Sequence, residues 1–180
     1  MKKAYLILSE LDNEDLNWIT KNGHKKNLEP GTTLIYEGQS ISALYMVLDG
    51  TLRVYIKPGE AGQERELAQI SAGEMVGEIS FIDASVPIAT VEALGDCTIL
   101  EIPRIQLLNK LRTDQAFAVR FYRGICQCLA DRMRGTVKRL GYQSDDSYLE
   151  TVTPEFSPLK QEDLELIEAK FHWLTLNVEN

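Results

Sequence analysis

The sequence predicts an α+β protein built on a β jelly roll (double-stranded β-helix), with a helix before the strands and a long helix after them. Two observations predict this fold. Eight glycines between positions 31 and 95 separate short runs rich in β-branched and aromatic residues, which is typical of sandwiches and barrels made of short strands. After Pro103 the apolar residues recur at helical spacing, so helices replace strands near that residue.

The 180-residue chain is long enough for one domain with a hydrophobic core and an appendage. We expect the domain at residues 1–140, including the long helix, and an acidic tail with one short helix at residues 141–180. The opening MKKAYLIL is too short an apolar run for a signal sequence, and no run approaches a membrane span. The sequence therefore predicts a cytoplasmic protein without membrane contact.

The first predicted element is a short helix. Asp12 is a suitable N-cap, with Asp15 three positions later, and Leu16 and Ile19 mark an apolar side. The residue pair Asn22-Gly23 marks the end of this helix. Predicted strands then lie in the runs TTLIYEG, ALYMVLDG, TLRVYIKPG, ERELAQIS, IATVEALG and CTILEIP. Asp49-Gly50 is a hairpin signal between the second and third runs.

Two helices are predicted after Pro103. The spacing of Ile105, Leu108 and Leu111 indicates a short one, and Asp114 is a suitable cap for a longer one that runs to about Leu140. Apolar residues recur along the longer helix close to the coiled-coil period: Ala118, Tyr122, Ile125, Leu129, Met133, Thr136 and Leu140. We expect a homodimer through the helix around residues 114–140; the alternative is a helix that lies on its own sheet.

Charge is unevenly distributed along the chain. Residues 104–140 carry a net charge of +7, between a segment of −8 before them and one of −7 after them. Residues 143–159 have the composition of a linker, and Leu164, Ile167 and Phe171 predict a last short helix. We expect the acidic tail to fold on the basic helix, in the same chain or in a dimer partner. The alternative is a basic helix that binds DNA.

Catalytic residues are scarce in the sequence. Metal-dependent jelly-roll enzymes need several histidines on their strands, but the chain has only His24 and His172, one before the strands and one in the tail. The three cysteines have no spacing typical of a metal site or a disulfide framework. The sequence therefore argues against an enzyme.

The stretch GEISFIDASVPIATV at residues 77–91 carries a resemblance to a known family. Together with LEPGTTLIYEGQSISALYMVLDGTLRVY, and with the order of helix, jelly roll and long helix, it resembles the cyclic nucleotide-binding domain of catabolite activator-type regulators and kinase regulatory subunits. The resemblance covers about residues 8–140 and is most specific at 77–91, the counterpart of the family's phosphate-binding cassette. It implies a regulatory function with cAMP or cGMP as the ligand, and signalling to a protein partner.

The resemblance also implies roles for individual cassette residues. Gly77 would start a short helix close to the ligand, and Glu78 would accept a hydrogen bond from the ribose 2′-hydroxyl. A structural carboxylate is the alternative role for Glu78. The amides near Ile79 and Ser80 would face an anion. The remaining implied ligand contacts are Ser85, Ala89 and Thr90.

One position departs from the family pattern. The phosphate-binding arginine falls nine residues after the glutamate, and this position is Pro87 here. Losing an arginine fork should weaken a cyclic nucleotide by about one to three decades. Three possibilities stay open: a nucleotide held with help from Arg53 or Arg65, a less anionic ligand against Ile79, Phe81 and Val91, or a pocket without a ligand.

The resemblance further implies a helix-turn-helix for DNA after the long helix. Only 40 residues follow Leu140, their net charge is −7, and they contain one predicted helix. A recognition helix needs two or three helices to present it. We therefore expect no DNA binding. The predicted function is a non-enzymatic regulatory or interaction domain in which cyclic nucleotide binding is altered or lost; the alternative is a true cAMP or cGMP receptor.

Overall fold

The computed structural model describes residues 6–57, 59, 63–139 and 161–179. The strands are β1 (His24–Leu28), β2 (Thr33–Ile35), β3 (Ala43–Asp49), β4 (Thr51–Ile56), β5 (Arg65–Ser71), β6 (Met75–Val76), β7 (Thr90–Ala93) and β8 (Cys97–Pro103). The helices are α1 (Leu6–Glu10), α2 (Asn13–Asn22), α3 (Glu78–Asp83), α4 (Arg104–Thr113), α5 (Gln115–Arg139) and α6 (Gln161–Asn177). The predicted linker at 143–159 lies outside the described residues.

The strands form two four-stranded antiparallel sheets, with the orders β1-β8-β3-β6 and β2-β7-β4-β5. One buried cluster fills the space between the sheets, and a second lies between the first sheet and the helices. The predicted jelly roll with helices before and after it is therefore confirmed.

Each of the six predicted runs contains a strand, and two strands were not predicted. β1 has the polar sequence HKKNL and pairs only with β8 at the sheet edge. An edge strand has one neighbour and little apolar surface to bury, so no alternating pattern marks it. β6 has only two residues.

The hairpin predicted at Asp49-Gly50 is wrong. β3 pairs with β6 and β8, whereas β4 pairs with β5 and β7, so the chain passes from one sheet to the other at this point. Gly50 has φ of +85°, and a Cβ atom here would lie 2.6 Å from the carbonyl oxygen of Asp96. The glycine therefore permits a close crossing between sheets.

The predicted N-terminal helix is confirmed as α2. The Asp12 carboxylate accepts hydrogen bonds from the backbone N–H of Glu14 (2.9 Å) and of Asp15 (3.0 Å). The Asp15 carboxylate in turn accepts one from the N–H of Asp12 at 3.0 Å, which completes a capping box. The preceding helix α1 was not predicted; it buries Ile7 and Leu8.

Helix α5 lies on its own domain for much of its length. Its own residues Phe117, Phe121 and Ile125 are buried. Asp114 caps the helix as predicted, because its carboxylate accepts a hydrogen bond from the N–H of Phe117 at 2.9 Å. The apolar stripe predicted for a dimer is therefore split. Ile125 is 1% exposed, so its predicted place in a dimer contact is wrong. The buried stripe of Phe117 and Phe121 runs beside the predicted stripe, and Ile125 belongs to both.

Helix α6 packs on the N-terminal helices. Its residues Ile167 and Leu174, and Val178 directly after it, belong to the buried cluster under the helices. The Lys170 ammonium donates to the carbonyl oxygens of Leu8 (3.1 Å) and Leu11 (2.6 Å), and burial lowers its pKa. We expected the tail to contact the basic helix through charge. The contacts of α6 with α1 and α2 instead bury apolar side chains.

An ion pair joins α2 to the start of α5. The Arg120 guanidinium donates to the two carboxylate oxygens of Asp15, at 2.6 and 2.8 Å, and lies 3.0 Å from an oxygen of Asp12. These carboxylates raise the pKa of Arg120. The Asp15 side chain is 2% exposed and that of Asp12 is 48% exposed. Arg120 thus pairs with one buried carboxylate, that of Asp15, and with one exposed carboxylate, that of Asp12.

We predict that Asp15→Asn lowers the free energy of unfolding by roughly 2–3 kcal/mol, because it leaves the Arg120 guanidinium without a buried anion. Asp12→Asn is the matched control, because asparagine retains N-cap function and the exposed charge contributes less than about 1 kcal/mol. Urea unfolding measures both. Equal losses in the two variants would contradict the importance of the buried pair.

Candidate functional site

A cavity of about 1070 Å³ lies between the sheet β2-β7-β4-β5, helix α3 and the end of α5. Its wall is largely aliphatic, with side chains from this sheet, from β6 and α3, and from the loop after α3. The larger of these are Ile35, Val54, Leu67, Ile70, Val76, Ile79, Val86, Pro87, Ile88 and Val91. The cavity therefore has the apolar lining and concave shape of a small-molecule site.

The short helix α3 forms one end of the cavity. Gly77 precedes it with φ of +88°, in the left-handed region that favours glycine. A Cβ atom at Gly77 would lie 3.0 Å from a methyl group of Ile41. The glycine thus lets the chain turn sharply from β6 into α3 and directs Glu78 inward.

Glu78 is only 2% exposed and forms an ion pair with Arg132 of α5. The same guanidinium donates to the carbonyl oxygen of Met75. Arg132 is 29% exposed at its side chain and lines the cavity together with Asp131, Gly135 and Thr136. The carboxylate that begins the cassette is therefore neutralised by the helix that covers it.

Two further contacts hold α3 against the helices. The Arg104 guanidinium, at the start of α4, donates to the carbonyl oxygen of Ser80 at 3.1 Å. The Phe81 ring lies 6.0 Å from that of Phe121 and 5.3 Å below the Arg104 guanidinium. Phe81 is therefore part of the core under the helices, and its predicted place in the ligand lining is wrong.

The two arginines considered as substitutes for the missing cation have different positions. Arg53 forms ion pairs with Glu64 (3.0 Å) and Glu92 (3.1 Å) and stacks on Tyr55. Arg53 does not line the cavity among the described residues, whereas Arg65 does. Of the two, Arg65 is thus the one beside the space that a ligand would occupy.

The predicted site residues fall into two groups. Gly77, Glu78, Ile79, Ser80 and Ala89 line the cavity. The other two predicted residues do not line it in the described part of the chain.

These two hydroxyls already have partners. The Ser85 hydroxyl donates to the Asp83 carboxylate at 2.6 Å, which lowers the pKa of Asp83. The Thr90 hydroxyl accepts from the N–H of Glu37 at 3.3 Å. Pro87 does line the cavity, and its carbonyl accepts from the N–H of Gly38 at 2.8 Å. At the position where the family has its arginine, the wall is therefore apolar.

The model of the cyclic nucleotide-binding domain matches residues 25–114, which is half of the chain. The chain belongs to the cyclic nucleotide-binding domain family. The match extends from β1 to the end of α4, so it includes both sheets and the cassette.

Similarity to individual proteins supports this family assignment. The cyclic AMP receptor protein of Thermus thermophilus is 34% identical over 82 residues, 46% of this chain and 38% of that protein. The crystal structure of the Thermus thermophilus catabolite activator protein superposes with a TM-score of 0.62 at 26% identity, over 76% of this chain and 62% of that one. Lysophospholipase nte1 of Aspergillus terreus is 28% identical over 125 residues, 69% of this chain and 7% of that enzyme.

This member of the family spans only 7% and 38% of the lengths of the two curated relatives. The similarity therefore concerns the domain and not the whole of either protein. Beyond α5, the described part of the chain contains one helix, α6, so no helix-turn-helix is seen among the described residues. None of the helices in the described ranges has the length and hydropathy needed to cross a bilayer.

Arg132 is the site residue that the sequence did not reveal. The sequence marks it only as one of the basic residues of the segment 104–140, yet it bonds to Glu78, 54 positions earlier in the chain. Its inward position continues, at helical spacing, the stripe formed by the buried Phe117 and Phe121 and the partly buried Cys128. Burial also raises the pKa of the Cys128 thiol to about 11, one turn before Arg132.

We predict that Glu78→Gln and Arg132→Met each lower the free energy of unfolding by roughly 2–4 kcal/mol, because each leaves its partner's charge without compensation. In urea unfolding, the double variant should lose about 1–3 kcal/mol less than the sum. Arg134→Met, at an exposed position of the same helix, is the control and should change stability by less than about 0.5 kcal/mol. Simple additivity would contradict the pair.

Proposed function

We propose that this chain is a non-enzymatic regulatory domain in which cyclic nucleotide binding is altered or lost. The observation that carries the proposal is the ion pair between Glu78 and Arg132 inside the cavity. The carboxylate at the ribose position has a guanidinium partner already, and the phosphate position has Pro87. Proline offers neither a cation nor an N–H. Two of the polar contacts that the family makes with its ligand are thus compromised.

A regulatory mechanism follows from the same contacts. A ligand in the cavity would touch both α3 and the last turns of α5, because residues of both line it. Any ligand that bonds to Glu78 must displace or share Arg132, so occupancy would change how α5 is held. We expect the signal to leave the domain through α5 and to reach a protein partner, with no DNA contact, in the cytoplasm.

A second candidate is a true receptor for cAMP or cGMP. It is favoured by Arg65 and Arg132, the guanidinium groups that line the cavity. A phosphate could be held by one of them without the family's arginine. This candidate requires that the nucleotide compete with Glu78 for Arg132, or reach Arg65 at the cavity rim.

We predict that 1 mM cAMP or cGMP leaves the thermal unfolding midpoint of the natural chain unchanged. A ligand at 100 times its dissociation constant would stabilise the protein by about 2.7 kcal/mol, so a clear rise would favour the receptor instead. Pro87→Arg should gain about one to three decades in affinity by isothermal titration calorimetry. Pro87→Ala is the control, because it removes the ring without adding a cation.

We also propose that the chain is a homodimer through the outer face of α5. Apolar side chains on this face are solvent-exposed and recur at spacings of 3 or 4: Val119, Tyr122, Cys126, Ala130, Met133 and Val137. A second helix of the same kind would cover this stripe. Leu140 and the side chains of Lys138 and Arg139 lie outside the described residues.

Met133→Glu should shift the chain from dimer to monomer in sedimentation equilibrium, because the carboxylate would enter an apolar helix contact. Ile105→Glu on α4 is the control, since Ile105 is 74% exposed and Met133 is 71% exposed. A monomeric natural chain, or a dimer that resists Met133→Glu, would contradict this interface.

A further inference from the structure

More acidic than basic residues line the cavity. The residues that line it include two arginines, Arg65 and Arg132, and four acidic residues, Glu66, Glu74, Glu78 and Asp131. Two positive and four negative groups leave a formal charge of −2 at neutral pH. A concave site with this charge lowers the local concentration of anions and disfavours their binding.

The guanidinium beside α3 is not free to compensate for this excess. Arg132 bonds to the Glu78 carboxylate and to the Met75 carbonyl oxygen. The other guanidinium belongs to Arg65, which is exposed at the first residue of β5. A charge in that setting is hydrated and screened by salt. The charges of Glu78 and Arg132 thus cancel within their pair, and the rest of the lining has more carboxylates than guanidinium groups.

The apolar wall includes side chains that the protein leaves in contact with solvent. Ile79 is 45% exposed, Val86 47% and Ile88 70%, and all three line the same cavity. Three large aliphatic side chains around one concavity are typical of a binding site for an apolar surface. A molecule that covers them gains from removing this surface from water.

We infer that the cavity binds a mostly apolar small molecule that carries no anionic group. The inference deepens the proposed function and rests on it, because an anionic cyclic nucleotide would be the wrong ligand for this lining. The ligand's apolar body lies against Ile79, Val86 and Ile88. A hydroxyl or amine on the ligand would donate to Glu78, which accepts hydrogen bonds only.

Two fluorescent probes that differ by one charge test this inference on the full chain. N-phenyl-1-naphthylamine is uncharged, and 8-anilino-1-naphthalenesulfonate has the same ring system with an added sulfonate. We expect saturable binding of the neutral probe at one site per chain, at least tenfold tighter than binding of the sulfonate. Equal or tighter binding of the sulfonate, or no saturable binding of the neutral probe, would overturn the inference.

A matched pair of variants locates the probe. Ile79 and Ile82 lie on the same helix and are both 45% exposed, but only Ile79 lines the cavity. Ile79→Gln should weaken the neutral probe at least fivefold, whereas Ile82→Gln should bind it as the natural chain does. An equal effect of the two substitutions would place the probe elsewhere and overturn the assignment.

Competition with cAMP separates this inference from the proposed function. Displacement of the neutral probe by micromolar cAMP would overturn both, because the site would then accept the anionic nucleotide. If millimolar cAMP neither binds in calorimetry nor displaces the probe, the proposed function stands. In that case the presence or absence of saturable probe binding decides the ligand class alone.

Discussion

The ion pair between Glu78 and Arg132 is the contact on which the functional end of the molecule depends. It joins the cassette to the last turns of α5, across 54 positions of sequence. Because Glu78 is 2% exposed, its charge requires a partner, and the helix that supplies one also forms a wall of the cavity. The position of the helix and the charge of the site therefore depend on the same contact.

The other end of α5 is held by a different kind of contact. Phe117 and Phe121 are buried, and Arg120 is bonded to Asp15 in α2. The helix is thus anchored near its start by aromatic packing and a bidentate ion pair. Near its end, Arg132 bonds to the Glu78 carboxylate and to the Met75 carbonyl oxygen and so joins the helix to the cassette. The helix is therefore attached to the domain near both of its ends.

Local features of the sequence were sufficient to predict much of the fold. The strands β3 and β8 can be predicted from their apolar runs. The helix caps at Asp12 and Asp114 can be predicted from the neighbouring residues alone. The family's cassette is also local, so the resemblance of one short stretch was enough to place Gly77, Glu78 and Pro87 in it. Each of these depends on residues close together in the chain.

The features that were missed depend on distant contacts. Whether Asp49-Gly50 joins two strands of one sheet or two different sheets is decided by β6, β7 and β8. To predict the role of Arg132, one must know which face of α5 contacts the cassette. The pattern of apolar residues does not identify this face, because two neighbouring faces of α5 both have apolar residues. The packing of α6 on α1 likewise joins opposite ends of the chain.

The contact between Gly124 and Ile7 has a mechanical consequence. A Cβ atom at Gly124 would lie 2.7 Å from the Ile7 side chain, so the backbone of α5 rests almost directly on α1. Arg132 lies about 12 Å farther along the helix axis, at 1.5 Å per residue. If this contact acts as a fulcrum, a tilt of about 10° moves the guanidinium by roughly 2 Å, enough to break its hydrogen bonds. The absence of a side chain at Gly124 thus lets α5 lie close against α1, and a tilt about this contact would be felt in the cavity through Arg132.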